Sequence, residues 1–468
     1  MPQLSQKIVV PVVYSAAVFM SILDSSVVNV TLPVIARRFD VQPEQGHAVV
    51  VGYLLSLAVF MPASGWLADR FGVKRVFLTA LALFVAASAL CGLAQGLPEL
   101  VLFRVVQGAG GGLLVPVGMT MVLRTFPPIE RPRAIRLMNM VTTIAPASGP
   151  VLGGLLTVRL SWRYVFLVNI PIGVLAFLFG LLFLARTAKV EVRRFDVRGF
   201  LLSGFGFAAA MYALSEGPDR GWARPDVIVT GVLGVALLVA LARSELRTRG
   251  PLLNLRLLGN RSFRTHNAVT VLNSAAFLGV LYLMPQFLQT IRSFDPLEAG
   301  LTTFPEAVGV VLCMQVVARV YPRVGPRRLQ VPGLLGLAAV VSCMALTGLD
   351  TPRWQIIVLM FLAGVSVVFV FLPTQIAAFA TIEGEDLGQA SALYNVGRQL
   401  GAAGGVAGLS AVIAAFGSGA DGPGLLAYRA AFFTAATLAL LAAAVATTTR
   451  DADAASTMRP RERVAHRG

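Results

Sequence analysis

Apolar segments long enough to cross a bilayer recur along this chain, and nothing constrains its fold more. The hydrocarbon core of a bilayer is about 30 Å thick and takes roughly 20 apolar helical residues to span. The first such segment runs from Ile8 to Ile35. Others follow near 46–68, 76–95, 98–123, 134–158, 163–185, 199–216, 226–243, 265–290, 298–319, 329–348, 354–378, 387–416 and 426–448. Backbone groups in lipid must be bonded internally, so only helices and closed barrels cross a membrane. The alternating strands of about ten residues that a barrel needs are absent from the sequence. Hydrophobic residues make up 56% of the chain and charged residues 13%, about half the charge of a soluble domain. The expected fold class is an all-α polytopic membrane protein of fourteen helices.

The formal net charge of +16 does not point to nucleic acid, because its distribution follows the loops. About 28 of the 39 Lys and Arg residues fall in alternate loops on one side and about 9 on the other. The rich side holds Arg70, Lys74, Arg75, Arg131, Arg133, Arg136 and the cluster Arg186, Lys189, Arg193 and Arg194. Positive loops face the cytoplasm, so both termini are expected there, in the inner membrane of a bacterium. Cys91, Cys313 and Cys343 fall within spans without metal-ligand spacing and read as small buried hydrophobes. His47, His266 and His466 are expected in loops or the tail. No Walker loop, dinucleotide fingerprint or zinc spacing occurs. The chain is therefore not expected to be an enzyme, and it needs a gradient as its source of energy.

Asp24 is the only charge between Ile8 and Ile35. A charge at mid-helix costs about 2.5–3.5 kcal/mol on insertion scales. Two readings are open: a structural carboxylate paired with a base, or a proton or cation site. Arg104, inside the fourth span, would act on the proton affinity of a nearby carboxylate, order water, or serve as a plain counter-ion. Glu306 follows Pro305 within two turns of the outer interface. It reads as a contact for a cationic substrate or a second proton site, with a solvated structural carboxylate as the other reading. Arg398 would neutralise an acid across a cavity or snorkel to the interface. Tyr53 and Tyr282 are candidate aromatic walls for flat cations.

The loop GWLADRFGVKR joins spans two and three. Gly65 suits close helix approach and Gly72 a backbone conformation that other residues resist. Asp69 would accept bonds from a helix N-terminus or pair with Arg70, latching one state shut. In span five, Gly149, Gly153 and Gly154 remove bulk from a packing face, while Pro146 and Pro150 each delete a backbone bond. A bent, closely packed helix follows, acting as a seal or a hinge.

The two halves also echo one another: Gly72 matches Gly325, Arg70 matches Arg323, Arg75 matches Arg328, Asn139 matches Asn395 and Gly149 matches Gly405, while Asp69 becomes Pro322. Two six-helix bundles, 1–190 and 261–449, are expected around a site at midplane depth. Residues 191–260 add two helices with basic linkers, and 450–468 reads as a disordered cytoplasmic tail.

Together these motifs resemble the major facilitator superfamily. G-x-L-A-D-R-x-G-x-K-R is similar to its signature loop, and FRVVQGAGGGLLVPVG to its fourth-helix motif through Arg104, Gln107, Gly108 and Gly110. APASGPVLGG resembles the kinked motif of its antiporter branches. LDSSVVNVTLP and SWRYVFLVNIPIG are similar to the 14-spanner drug:proton antiporters. The resemblance covers nearly the whole chain. It implies a major facilitator fold and proton-coupled export of small amphipathic, cationic drug-like compounds by alternating access. On that expectation Asp24, Arg104 and Glu306 couple the proton. Asp24, Gln107, Tyr53, Tyr282, Glu306 and Arg398 meet the substrate, and Gly65, Asp69, Arg70, Gly72, Lys74 and Arg75 form a gating loop. Export of one endogenous metabolite on the same fold is the other expectation. The expected partners are a small-molecule substrate, protons and the lipid bilayer, for a monomer that needs no metal and no cofactor beyond the proton gradient.

Overall fold

A computed structural model describes residues 4–41, 46, 48–185, 195–248, 251–382, 384, 386–416 and 424–458. The N-terminal bundle contains α1 (Gln6–Arg38), α2 (Ala48–Phe60), α3 (Ser64–Phe71), α4 (Val73–Leu93), α5 (Leu97–Thr125), α6 (Arg131–Arg159), α7 (Tyr164–Leu167) and α8 (Asn169–Phe183). A hairpin of α9 (Val197–Arg220) and α10 (Pro225–Arg247) follows. The C-terminal bundle contains α11 (Arg261–Thr290), α12 (Pro296–Thr303), α13 (Pro305–Val324), α14 (Pro326–Ala345), α15 (Arg353–Ala378), α16 (Asp386–Phe416) and α17 (Leu425–Thr447). Among the described residues, 13 helices are long and apolar enough to cross a membrane, with α2–α3, α7–α8 and α12–α13 each making one span. The expected fifth span forms α6, a helix of 29 residues, and is not among the 13.

Local chemistry sets the element ends. Ser5 caps α1 by accepting from the Lys7 amide, and Asp295 and Glu298 form a reciprocal capping box on α12. Gly72 and Gly325 join consecutive helices with φ of 88° and 90°, a region that side chains resist. These two loops are the equivalents that the internal echo predicts. The deeper glycines obey the same duplication. Gly149 of α6 lies against Ser26 of α1, and Gly405 of α16 lies against Ala275 of α11. Each bundle therefore packs its first helix on its fifth through a residue without a side chain.

The bundles meet where α16 lies on α3 and α5, and where α13 and α15 lie on α6. The α9–α10 hairpin leans through α9 on both α2 and α16, so it bridges the two bundles on one flank. Ties between the bundles gather toward the end that carries Gly72 and Gly325. Arg131 Nη1 donates to the Phe379 carbonyl at 2.7 Å, Ser391 Oγ to the Pro116 carbonyl at 2.9 Å, and Asn139 Nδ2 to Gln375 Oε1 at 3.2 Å.

Three expectations need correction. The stretch after Arg450 is ordered at its start, where Asp451–Thr457 forms a 3-10 turn; residues 459–468 lie outside the described residues. Asp451 Oδ1 accepts from the Arg327 amide at 3.0 Å, the Tyr321 and Thr457 hydroxyls lie 2.7 Å apart, and Ser456 Oγ donates to the Ala380 carbonyl at 2.9 Å. Pro322 stands where the first loop has Asp69, and the tail carboxylate of Asp451 meets the α14 N-terminus. His266 sits in α11, not in a loop, because that helix begins at Arg261; its Nδ1 lies 2.7 Å from the Ser262 carbonyl oxygen. His47 and His466 lie outside the described residues. Of the cysteines, only Cys91 is buried, and Cys343 is exposed on the helix surface.

Candidate functional site

Asp24 is sealed inside the N-terminal bundle, where α5 and α8 supply its polar partners. Its Oδ2 lies 2.5 Å from Arg104 Nη1, while Oδ1 accepts from Gln107 Nε2 at 3.0 Å and Asn169 Nδ2 at 2.8 Å. Arg104 also donates to Gln107 Oε1 at 2.8 Å and lies over the Tyr53 ring at 4.1 Å. Tyr53 hydroxyl shares a hydrogen bond with Ser21 at 3.1 Å, and Asn169 donates to Ser88 Oγ at 3.0 Å. Asp24, Arg104, Gln107, Asn169 and Ser88 are at most 1% exposed. A buried ion pair holds only when its remaining lone pairs and protons are satisfied, and here both carboxylate oxygens are.

This geometry joins Asp24 and Arg104 as expected and adds two residues that sequence reasoning missed. Asn169 belongs to the motif SWRYVFLVNIPIG, which carried a resemblance but no role. Ser88 gives no signal at all within its apolar run. Gly108 and Gly112 let α2 press onto α5; a Cβ on Gly112 would sit 2.5 Å from the Leu57 carbonyl oxygen. Removing bulk there brings Tyr53 over Arg104.

A separate cavity of about 1160 Å³ lies between the bundles. Tyr282, Glu306 and Arg398 line it, as expected. Asp24, Gln107 and Tyr53, expected on its wall, do not. On α1 the wall is made by Tyr14, Val18, Ile22 and Ser26, and a helix turning 100° per residue places the last two on the face away from Asp24. The two turns of α12 precede Glu306, which stands ten residues, about 15 Å of helix, beyond Pro296. Neither Glu306 nor Arg398 has a hydrogen bond or ion pair among the described residues.

In the gating loop, Gly65 backs directly onto α16: a Cβ there would meet Gly388 and the Gln389 amide at 2.9 Å. Asp69 does not pair with Arg70. It binds Arg124 Nη2 of α5 at 2.6 Å, and its carboxylate lies against Gly388 in the first turn of α16. Arg70 and Arg75 are exposed, while Lys74 Nζ donates to the Leu181 and Leu184 carbonyls that end α8. In α6, Gly149 and Gly153 take the packing role expected of them, against Ser26 and Val27. Gly154 does not: it meets nothing within 4 Å and lines the cavity. The side chains of Pro146 and Pro150 lie outside the described residues.

Comparison with known proteins agrees with this architecture. The model of the Major Facilitator Superfamily matches residues 14–406. A putative multidrug resistance protein MdtD from Pectobacterium atrosepticum is 35% identical over 348 residues, covering 74% of each chain. A multidrug resistance protein B homolog from Mycobacterium tuberculosis is 32% identical over 395 residues, covering 82% of this chain and 73% of the relative. Among solved structures, the human organic anion transporter MFSD10 superposes with a TM-score of 0.68 at 17% identity, over 95% of this chain and 100% of that one. The proton:xylose symporter XylE superposes at 0.65 and 15% identity, over 94% and 95%.

Proposed function

Because this chain belongs to the major facilitator superfamily, a family of membrane transporters, we propose that it exports small amphipathic, cationic drug-like compounds in exchange for protons. It would act as a monomer in the cytoplasmic membrane of a bacterium, with both termini inside. The observation that carries this reading is the fully buried Asp24–Arg104 pair, with Gln107 and Asn169 on its other carboxylate oxygen.

The pair ties α1 to α5 and α8, and α1 and α5 also supply Ile22, Ser26, Val115 and Met119 to the cavity wall. A proton on Asp24 would release Arg104 and loosen that tie, so the wall would respond without substrate touching the carboxylate. The contacts of Gly65, Asp69 and Arg131 close the end that the basic loops assign to the cytoplasm. Substrate would leave from this state toward the outside, where Glu306 and Tyr282 face the cavity. Loss of the proton inside would restore the pair.

The test uses purified protein in liposomes with an imposed pH gradient and a fluorescent lipophilic cation. Asp24→Asn is expected to insert and to exchange substrate down its own gradient, but to lose accumulation driven by pH. Normal accumulation by that variant would sink the coupling role. A folded wild type that moves no cation would favour export of an endogenous metabolite, a reading that the unpaired Arg398 in the cavity supports.

A further inference from the structure

We infer that the cavity selects bipolar substrates, amphipaths that carry an ammonium-type cation and a carboxylate or comparable acceptor on one apolar body. The inference rests on the exporter reading above and narrows its substrate class.

The cavity carries one charged group of each sign, and they are not paired with each other. Glu306 enters from α13, about 15 Å below the start of α12. Arg398 enters from α16, twelve residues above Asp386, which corresponds to about 18 Å from the opposite end. An isolated charge in so apolar a setting is costly, and an unpaired guanidinium keeps its proton and its full set of donors.

A second observation lies at the Arg398 end. Asn273 and Ser274, neighbours on α11, line the same cavity and are each 2% exposed. Asn273 Oδ1 and Ser274 Oγ have no hydrogen-bond partner. Buried polar atoms are almost always satisfied, and an exception points to a missing partner. The packing of α11 on α16, with Val271 on Gly401 and Ala275 on Gly405, holds these two side chains within about two turns of Arg398. At this end the Arg398 guanidinium and the Ser274 hydroxyl can donate to a carboxylate, while Asn273 Oδ1, an acceptor only, takes an N–H or O–H from the polar end of the same molecule. The Glu306 end is bounded by Phe304, Val310 and Phe371, a wall for the cationic apolar ring. A pure cation would leave Arg398 facing it, and like charge opposes binding; a bipolar molecule answers both ends.

The experiment compares two dyes that differ by one group: a rhodamine with a free ring carboxyl, and its methyl ester. Equilibrium binding to the purified full-length protein is read by fluorescence polarisation, without any gradient. Wild type is expected to bind the acid at least as tightly as the ester. Arg398→Gln should lower the acid-to-ester affinity ratio by about tenfold, and Arg398→Lys should restore most of it. Ser274→Ala, a milder change that removes a hydroxyl donor, should move the ratio the same way by less. A tenfold preference of the wild type for the ester, a ratio that ignores Arg398→Gln in folded protein, or no binding of either dye would each overturn the inference. Because binding needs no proton gradient, a ratio that follows Arg398 would stand even if the liposome assay rejected proton-driven export.

Discussion

At the scale of single residues, the Asp24–Arg104 pair matters because each charge is tolerated only through the other. Breaking such a pair from one side costs about 3–5 kcal/mol, whereas replacing both partners is often close to neutral. Arg104→Gln alone is therefore expected to lower stability by about 3–5 kcal/mol, and Asp24→Asn combined with Arg104→Gln to recover most of that loss. Thermal unfolding of the purified variants measures it, and additive effects of the two substitutions would show that the pair is not coupled. Asn169 makes a subtler case. It holds Asp24 Oδ1 and Ser88 together, and Asn169→Leu leaves a carboxylate oxygen with one donor fewer. Proton-driven accumulation should fall about tenfold while exchange down a substrate gradient falls much less, since one charge-assisted bond corresponds to about that factor.

At the scale of helices, adjacent glycines separate a tightly packed face from an open one. On α16, a Cβ at Gly405 would run into the backbone of Ala275, whereas one at Gly404 meets nothing within 4 Å. Gly404→Ala should stabilise the helix by roughly 0.5–1 kcal/mol, and Gly405→Ala should destabilise by about 1–3 kcal/mol. Opposite shifts in melting temperature are the check; equal shifts would mean that α11 and α16 do not meet through this face. The repeat that exposes this pair was legible in the sequence, because Gly149 and Gly405 keep their order and spacing. So were the spans themselves, written as long apolar runs, and the charges that interrupt them. The facing of those charges was not legible. Asp24, Ile22 and Ser26 lie within one turn, and a rotation of 200° separates the buried carboxylate from the cavity wall. Asn169 and Ser88 were hidden for a related reason: uncharged polar residues in an apolar run gain meaning only when another helix brings a carboxylate to them.

At the scale of the whole molecule, the two halves close one end by different means. In the first half the signature loop does it directly, with Gly65 against α16 and Asp69 held by Arg124 at the α16 N-terminus. In the second half Pro322 stands where an acid would be. The segment Asp451–Thr457 fills the gap, bonded to the Gly325 loop through Arg327 and Tyr321 and touching the Pro128–Glu130 turn of the N-terminal bundle. If these contacts to the N-terminal bundle are lost on opening, the strap favours the closed state by their contact energy. Coupling of this kind is typically about 1–3 kcal/mol, or roughly 5–150-fold in the equilibrium. Truncation after Arg450 is therefore expected to raise the population that is open at this end by a factor within that range. Spin labels at Ile129 and Thr381, both exposed on facing bundles, would report the change as a longer distance in pulsed electron resonance. Gly65→Val provides the matched perturbation of the other half and should lengthen the same distance. An unchanged distribution after truncation, with Gly65→Val still opening the pair, would mean that the signature loop alone holds this end shut and that the tail merely rests on it.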